Sequence, residues 1–239
     1  MIRKRVEIGY SKKLGRFLMA YSTILLAGGK GLRFKEQNQE YKAFIKFKGI
    51  PFVLSVLKQI PSSANDDIII VTIKRHATRF MDLIEQYQFS PKPKLVFDEI
   101  PFQGPMIGVI NGMQVAYHDG CLVVPCDAPL LKIEVLQELI KQFEQIQNTS
   151  AVIPRWPNGY IEPLTAIYRK SRFLEPCRRH FEQGERRLSY VLASIPGVRY
   201  VKIEQFRKVD PKLVSFFNVN TENDYLKLKA LYKKILALE

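Results

Sequence analysis

The chain has 239 residues, with 46% hydrophobic and 25% charged side chains, which is enough for one sizeable core in an ordinary globular protein. No run of about 18 apolar residues occurs, and no apolar segment ends in a small-residue cleavage site, so neither a membrane span nor a secretory leader is expected. Three cysteines (Cys121, Cys126, Cys177) and three dispersed histidines argue against a disulfide framework and a zinc site, and fit a reducing cytoplasm.

A net charge of +14 is the compositional outlier and suits a polyanionic partner. Part of it is local: residues 1–20 carry six Lys and Arg side chains against Glu7 alone. That stretch is expected to be a flexible basic extension, with Met19 as an alternative start. Residues 21–239 are expected to form a single domain.

From Ser22 the pattern alternates strand and helix. Strands are predicted at Ser22–Ala27, Asp67–Ile73, Lys94–Phe97, Cys121–Pro125, Ala151–Ile153, Leu164–Tyr168 and Arg199–Ile203, and a short apolar strand at Phe216–Val219. Helices are predicted at Pro51–Ile60, Ala77–Tyr87, Gly108–Tyr117, Leu131–Ile146, Ser171–Gln183, Arg186–Ala193 and Thr221–Ala237. Thr221 and Asp224 have capping-box spacing. Continuous apolar strands between helices predict an α/β fold, a three-layer Rossmann-like arrangement with a mostly parallel central sheet. Ligands of such sheets bind beyond the carboxyl ends of the strands, so the residues just after each strand are the first candidates.

The first strand runs into Leu26-Ala27-Gly28-Gly29-Lys30-Gly31-Leu32-Arg33-Phe34. Its glycines let backbone N–H groups approach an anion, and Lys30 and Arg33 add positive charge. It is neither a Walker A loop nor a full dinucleotide fingerprint, so a phosphate-binding turn and a plain tight turn both fit. Lys42 follows closely enough to fold back on a triphosphate. Asp98 leaves the third strand, and Gly104–Gly108 opens a helix whose N-terminus suits an anion. Asp127, after the strand Val123–Pro125, can hold magnesium through oxygen or simply cap the next helix. Cys126 reads as packing. Arg186 and Arg187 can clamp a phosphate or pair at the surface. Asn218 and Asn220 can bind a ligand or cap the last helix.

Taken in order, LAGGKGLRF, YKAF, GPMIGVINGM, VVPCDAPLL, EPLTAIY, GERR and FFNVNT resemble the molybdenum cofactor guanylyltransferase family, the MobA-like nucleotidylyltransferases. The resemblance runs from about Ser22 to the C-terminal helix. It implies that Leu26, Ala27 and Gly28 contact GTP and that Gly29 and Arg33 shape the phosphate turn. It implies that Lys42 reaches the phosphates, that Asp98 lies on the nucleotide side and that Asp127 binds Mg2+. Arg33, Lys42 and Asp127 are then the catalytic set, and Arg186, Arg187, Asn218 and Asn220 line the side of the pterin substrate. Thr72 stands near the base, where the family often has asparagine; Phe34 and the longer stretch before Lys42 also depart from its pattern.

The implied reaction transfers GMP from GTP to the phosphate of molybdopterin, with proteins that hand over the pterin as candidate partners. A cytidylyltransferase or a sugar-phosphate nucleotidylyltransferase of the same fold is the alternative, and a panel of nucleoside triphosphates separates them. A non-catalytic basic protein binding nucleic acid is the more distant alternative; no helix-turn-helix, zinc-finger or RNP-type motif supports it.

Overall fold

The computed structural model describes residues 20–29, 41–98 and 103–236. The basic segment 1–19, Lys30, Arg33, Phe34 and Glu99 lie outside the described residues, so the expectations attached to them do too.

The chain begins with strand β1 (Ser22–Leu26), then forms a small hairpin of β2 (Lys46–Phe47) and β3 (Ile50–Pro51), followed by helix α1 (Phe52–Leu57). Strand β4 (Asp67–Thr72), helix α2 (Ala77–Gln86), strand β5 (Lys94–Phe97) and helix α3 (Pro105–Val115) come next. Then follow β6 (Gly120–Pro125), α4 (Ile133–Glu144), β7 (Ala151–Arg155) and β8 (Ala166–Arg169). The last elements are α5 (Lys170–Glu182), α6 (Leu188–Ser194), β9 (Val198–Lys202) and α7 (Glu222–Leu236).

Among the described residues seven strands form one sheet in the order β5-β4-β1-β6-β8-β7-β9. All neighbouring pairs are parallel except the two made by β8, which runs against β6 and β7. The reason is written in the strands. Every residue of β4 and of β6 is buried, as two-sided coverage by helices requires. Alternate residues serve alternate faces. Leu25, Ile70, Leu122, Val124, Val152 and Ile167 pack against α1, α2 and α4, while Ile24, Ile69, Val71, Val123, Ile153 and Tyr168 pack against α3, α5 and α6. A third, smaller cluster joins Phe47, Phe52, Val219 and Leu228, and so ties the hairpin to α7.

Three features differ from the pattern reading. The hairpin β2–β3 was not expected; Lys48 and Gly49 both have positive φ (52° and 78°), the requirement of a two-residue turn that suits strand twist. Helix α3 starts at Pro105 rather than Gly108, because proline is well tolerated at the first helical position and Gly104 takes the positive φ (88°) that precedes it. The segment Phe216–Val219 is not a strand. A short 3-10 turn covers Val214–Phe216, and Val219 N donates to the Asp127 carbonyl (2.9 Å), a link to a loop in place of a ladder. The expected capping pair does form: Asp224 N donates to Thr221 Oγ1 (3.1 Å), and Asp224 Oδ2 accepts from Thr221 N (2.9 Å).

Helix α3 lies very close to the sheet at Gly112, where an added Cβ would come within 2.4 Å of Ile24 Cγ2 and 3.2 Å of Val71 Cγ2. Gly112→Ala is therefore expected to overpack this face and destabilise the fold by roughly 1–3 kcal/mol, read as a lower urea midpoint at unchanged m-value.

Candidate active site

The parallel strands end level with one another. Leu26 of β1 lies opposite Val71 on one side and Pro125 on the other, and Thr72 lies opposite Phe97. Ala27–Gly29, Thr72, Asp98 and Asp127 consequently leave the sheet along a single edge. The glycine turn is held there by its backbone: Ala27 N donates to Val71 O (2.8 Å), and Cys126 N donates to Leu26 O (3.1 Å).

At Gly28 only hydrogen fits. A Cβ there would meet Asp98 Oδ2 at 2.7 Å, so the turn and the carboxylate are in direct contact. Gly29, by contrast, is exposed with open space around it. Asp98 is 9% exposed, its N donates to Thr72 O (2.8 Å), and its Oδ1 accepts from Asn111 Nδ2 (2.9 Å). Burial pushes its carboxyl above the ordinary range, and the Asn111 bond offsets part of that. Thr72 is fully buried and its hydroxyl donates to Ala27 O (3.3 Å), so its side chain props the glycine turn from behind.

Lys42 arrives from a separate segment. The ring of Tyr41 stacks on His76 (3.6 Å between centroids) and Phe44 packs on Phe80 (4.8 Å), which pins the short 3-10 turn Lys42–Phe44 to α2 and its lead-in. The Lys42 ammonium then contacts the Asp127 carboxylate and donates to Asn220 Oδ1 (2.8 Å). The Lys42 and Asp127 side chains are each 15% exposed, so the pair is part-buried and keeps a small opening to solvent. Residues 42, 127 and 220 thus meet although 178 positions separate the first from the last. Asn218 Oδ1, on the same incoming segment, is a buried acceptor with no partner among the described residues. The thiol of Cys126 is pushed up to about 12 by burial and faces no chemistry, as its reading as packing implies.

The two arginines separate. Arg186 spans toward the start of α3, donating to Gln103 Oε1 (3.1 Å) while its guanidinium lies over Phe181 (3.9 Å). Arg187 turns to its own loop, paired through two nitrogens with Glu185 and stacked on Tyr190 (3.8 Å). Neither makes a contact with Lys42, Asp127 or Asn220 among the described residues. Asn111 and Gln103 were not singled out from the sequence. For Asn111 a signal existed: it is an amide inside the otherwise apolar run Met106–Met113.

A glycine turn, a lysine–carboxylate pair and an asparagine at the carboxyl edge of a mostly parallel sheet define a class, the nucleotidyltransferases. The comparisons agree. Residues 23–198 match the MobA-like NTP transferase domain, and the chain belongs to that family. It is 31% identical over 214 residues to the molybdenum cofactor guanylyltransferase of Desulfosudis oleivorans, covering 90% of this chain and 96% of that one. It is 32% identical over 208 residues to the probable molybdenum cofactor guanylyltransferase of Thermococcus sibiricus, covering 86% and 96%. The crystal structure of molybdopterin-guanine dinucleotide biosynthesis protein A from Archaeoglobus fulgidus superposes with a TM-score of 0.71 at 27% identity, covering 90% of this chain and 99% of that one. No described helix is long and apolar enough to cross a membrane.

The buried Asp98 gives a pH prediction. A carboxyl whose pKa rises on folding adds stability below its unfolded pKa and loses it as pH climbs through the raised value. At neutral pH the ionised group therefore costs stability. Asp98→Asn is expected to raise Tm by a few degrees at neutral pH, with the gain shrinking as paired melts move to acidic pH. An unchanged Tm at neutral pH would contradict the burial argument.

Proposed function

We propose that this chain is a molybdenum cofactor guanylyltransferase, which transfers GMP from GTP to the phosphate of molybdopterin and releases pyrophosphate. The observation that carries this reading is the meeting of Lys42, Asp127 and Asn220 beside the glycine turn, in a chain similar over most of its length to proteins bearing that name. GTP would lie with its phosphates over Ala27–Gly29 and its nucleoside toward Thr72 and Asp98. A phosphate oxygen of the acceptor attacks the α-phosphorus, a new P–O bond forms, and the bond to the β-phosphate oxygen breaks as pyrophosphate leaves. The nucleophile is already anionic, so positioning and charge neutralisation suffice and no general base is needed.

Lys42 is assigned to the α- and β-phosphate oxygens, where its ammonium offsets the growing charge on the leaving group. Arg33, from its place in the glycine turn, is assigned the same task. Asp127 supplies a hard carboxylate and Asn220 an amide oxygen beside it. No cluster of three or more carboxylate, histidine or cysteine ligands exists among the described residues. This donor set fits Mg2+, which takes one or two carboxylates and fills its remaining positions from phosphates and water. When bound, the ion neutralises phosphate charge. The Lys42–Asp127 contact pairs both groups; with substrate bound, Asp127 would hold the ion and Lys42 the phosphate oxygens. Arg186, Asn218 and Asn220 are assigned to the acceptor side, and Arg187 would have to leave Glu185 to join them. A basic protein of this charge favours two polyanionic substrates and, with pterin-handover proteins, a cytoplasmic reaction; the three cysteines are free and buried.

The test is a panel of GTP, CTP, UTP and ATP with molybdopterin and Mg2+, followed by mass analysis of the product. GMP transfer is expected, with Lys42→Ala and Asp127→Ala each lowering kcat/KM by about 10²-fold or more. A preference for CTP would replace this reading with the cytidylyl one.

A further inference from the structure

Beyond Asp127 the same sheet edge continues through β8 to β7, and there the chain makes a second, unassigned group. Strand β7 ends at Arg155, and the turn Trp156-Pro157-Asn158-Gly159-Tyr160 follows. It is closed by Trp156 N donating to Tyr160 O (2.8 Å) and Gly159 N donating to Trp156 O (2.9 Å), with Gly159 at φ +87°. The chain then re-enters the sheet with Glu162 N donating to Pro154 O (2.9 Å). This turn joins two side chains directly: Trp156 Nε1 donates to Glu162 Oε1 (2.7 Å), while Tyr160 in the same turn is 62% exposed.

Glu162 is only 8% exposed, has no cationic partner, and its Oε2 has no hydrogen-bond partner among the described residues. A carboxylate held this way is costly to bury, and an apolar side chain would cost less there. The arrangement presents one carboxylate bonded to an indole edge, in a turn that also carries an exposed tyrosine. Its chemical complement is a flat heterocycle carrying two adjacent N–H donors, stacked on an aromatic face and paired edge-on with a carboxylate. The 2-amino-4-oxopyrimidine ring has that edge, and both guanine and a pterin contain it.

Position separates the two. Asp127 follows β6, and β7 lies two strands away with β8 between them, a lateral step of about 10 Å at ~4.8 Å per strand. The glycine turn, Thr72 and Asp98 are on the opposite side of Asp127. Trp156 also packs edge-on against Phe216 (6.4 Å), two residues before Asn218, so the group borders the segment that brings Asn220 to Lys42. A nucleotide on the β1–β4–β5 side leaves the β8–β7 side for the acceptor, whose ring would sit one short arm from its reacting phosphate.

We propose that Glu162, held by Trp156, is the subsite that reads the 2-amino-4-oxopyrimidine edge of the acceptor pterin. This rests on the guanylyl-transfer reading for the identity of the acceptor. Glu162→Gln keeps an acceptor for the Trp156 N–H but cannot accept both heterocycle donors. It is expected to raise the KM for molybdopterin by about 10–100-fold, with the KM for GTP unchanged and the Tm not lowered. Tyr160→Ala, at an exposed position, should raise the same KM to a smaller extent.

Trp156 is the single tryptophan of the chain, so its emission reports on this subsite directly. Titration with 6-hydroxymethylpterin should quench it in the wild type and do so at higher concentration in Glu162→Gln. That measurement needs no turnover. If wild-type enzyme transfers no GMP yet the pterin quenches in a Glu162-dependent way, the transfer reading fails and the subsite stands. If Glu162→Gln raises the KM for GTP instead, or changes neither KM nor quenching while Tm is kept, the subsite assignment is overturned.

Discussion

Strand β1 is held between two parallel partners whose ends are level with its own. Leu26 faces Val71 and Pro125 across the ladder, and Ala27 N and Cys126 N extend the bonding one residue beyond it. Because side chains alternate with period two, a shift of one residue would turn Ile24, Ile69 and Val123 from one core to the other. Burial on both faces therefore sets the register. The register in turn decides that the glycine turn, Asp98 and Asp127 leave the sheet side by side. Every polar group in the cleft depends on that alignment.

The edge so formed is organised laterally. On the β4–β5 side, the contact of Asp98 with Gly28 and its bond from Asn111 build a tight, poorly solvated corner where only a hydrogen fits at position 28. In the middle, Lys42 and Asp127 form a part-buried pair and Lys42 and Asn220 an exposed bond. On the β8–β7 side, the turn after β7 holds Glu162 through the Trp156 indole. A compact corner, a charged centre and an aromatic end suit a base, a row of phosphates and a second flat ring in that order. The sequence of strands supplies the order; no single loop does.

Charge follows the same logic. The Lys42 ammonium is paired with Asp127 and bonded to Asn220, so it is not an isolated cation waiting for substrate. With each side chain only 15% exposed the pair is part-buried, so removing one partner leaves the other charge poorly solvated. Arg187, paired with Glu185, is held in a comparable way by its own loop, where Glu185 is pulled down to about 2.

Local chemistry made much of this legible beforehand. The strands Asp67–Thr72 and Gly120–Pro125 are apolar runs whose composition demands burial on both faces, so their place in a parallel sheet followed from the residues. The glycine turn, Asp127 after its strand, and the Thr221–Asp224 cap are likewise signals of a few neighbouring residues. What the residues alone did not settle was partnership. Asn218 and Asn220 read equally well as helix caps until the loop that carries them docked against Asp127, and the supposed strand at Phe216–Val219 proved to be that loop. By resemblance Thr72 stands near the base; its side chain lies behind the turn with its hydroxyl on Ala27. Glu162 had no assigned role until the turn brought the Trp156 indole onto it. Backbone preference and burial act over a few residues and were readable there; contacts between residues 85 and 178 positions apart, such as those of Lys42, exist only once the sheet has set which ends are neighbours.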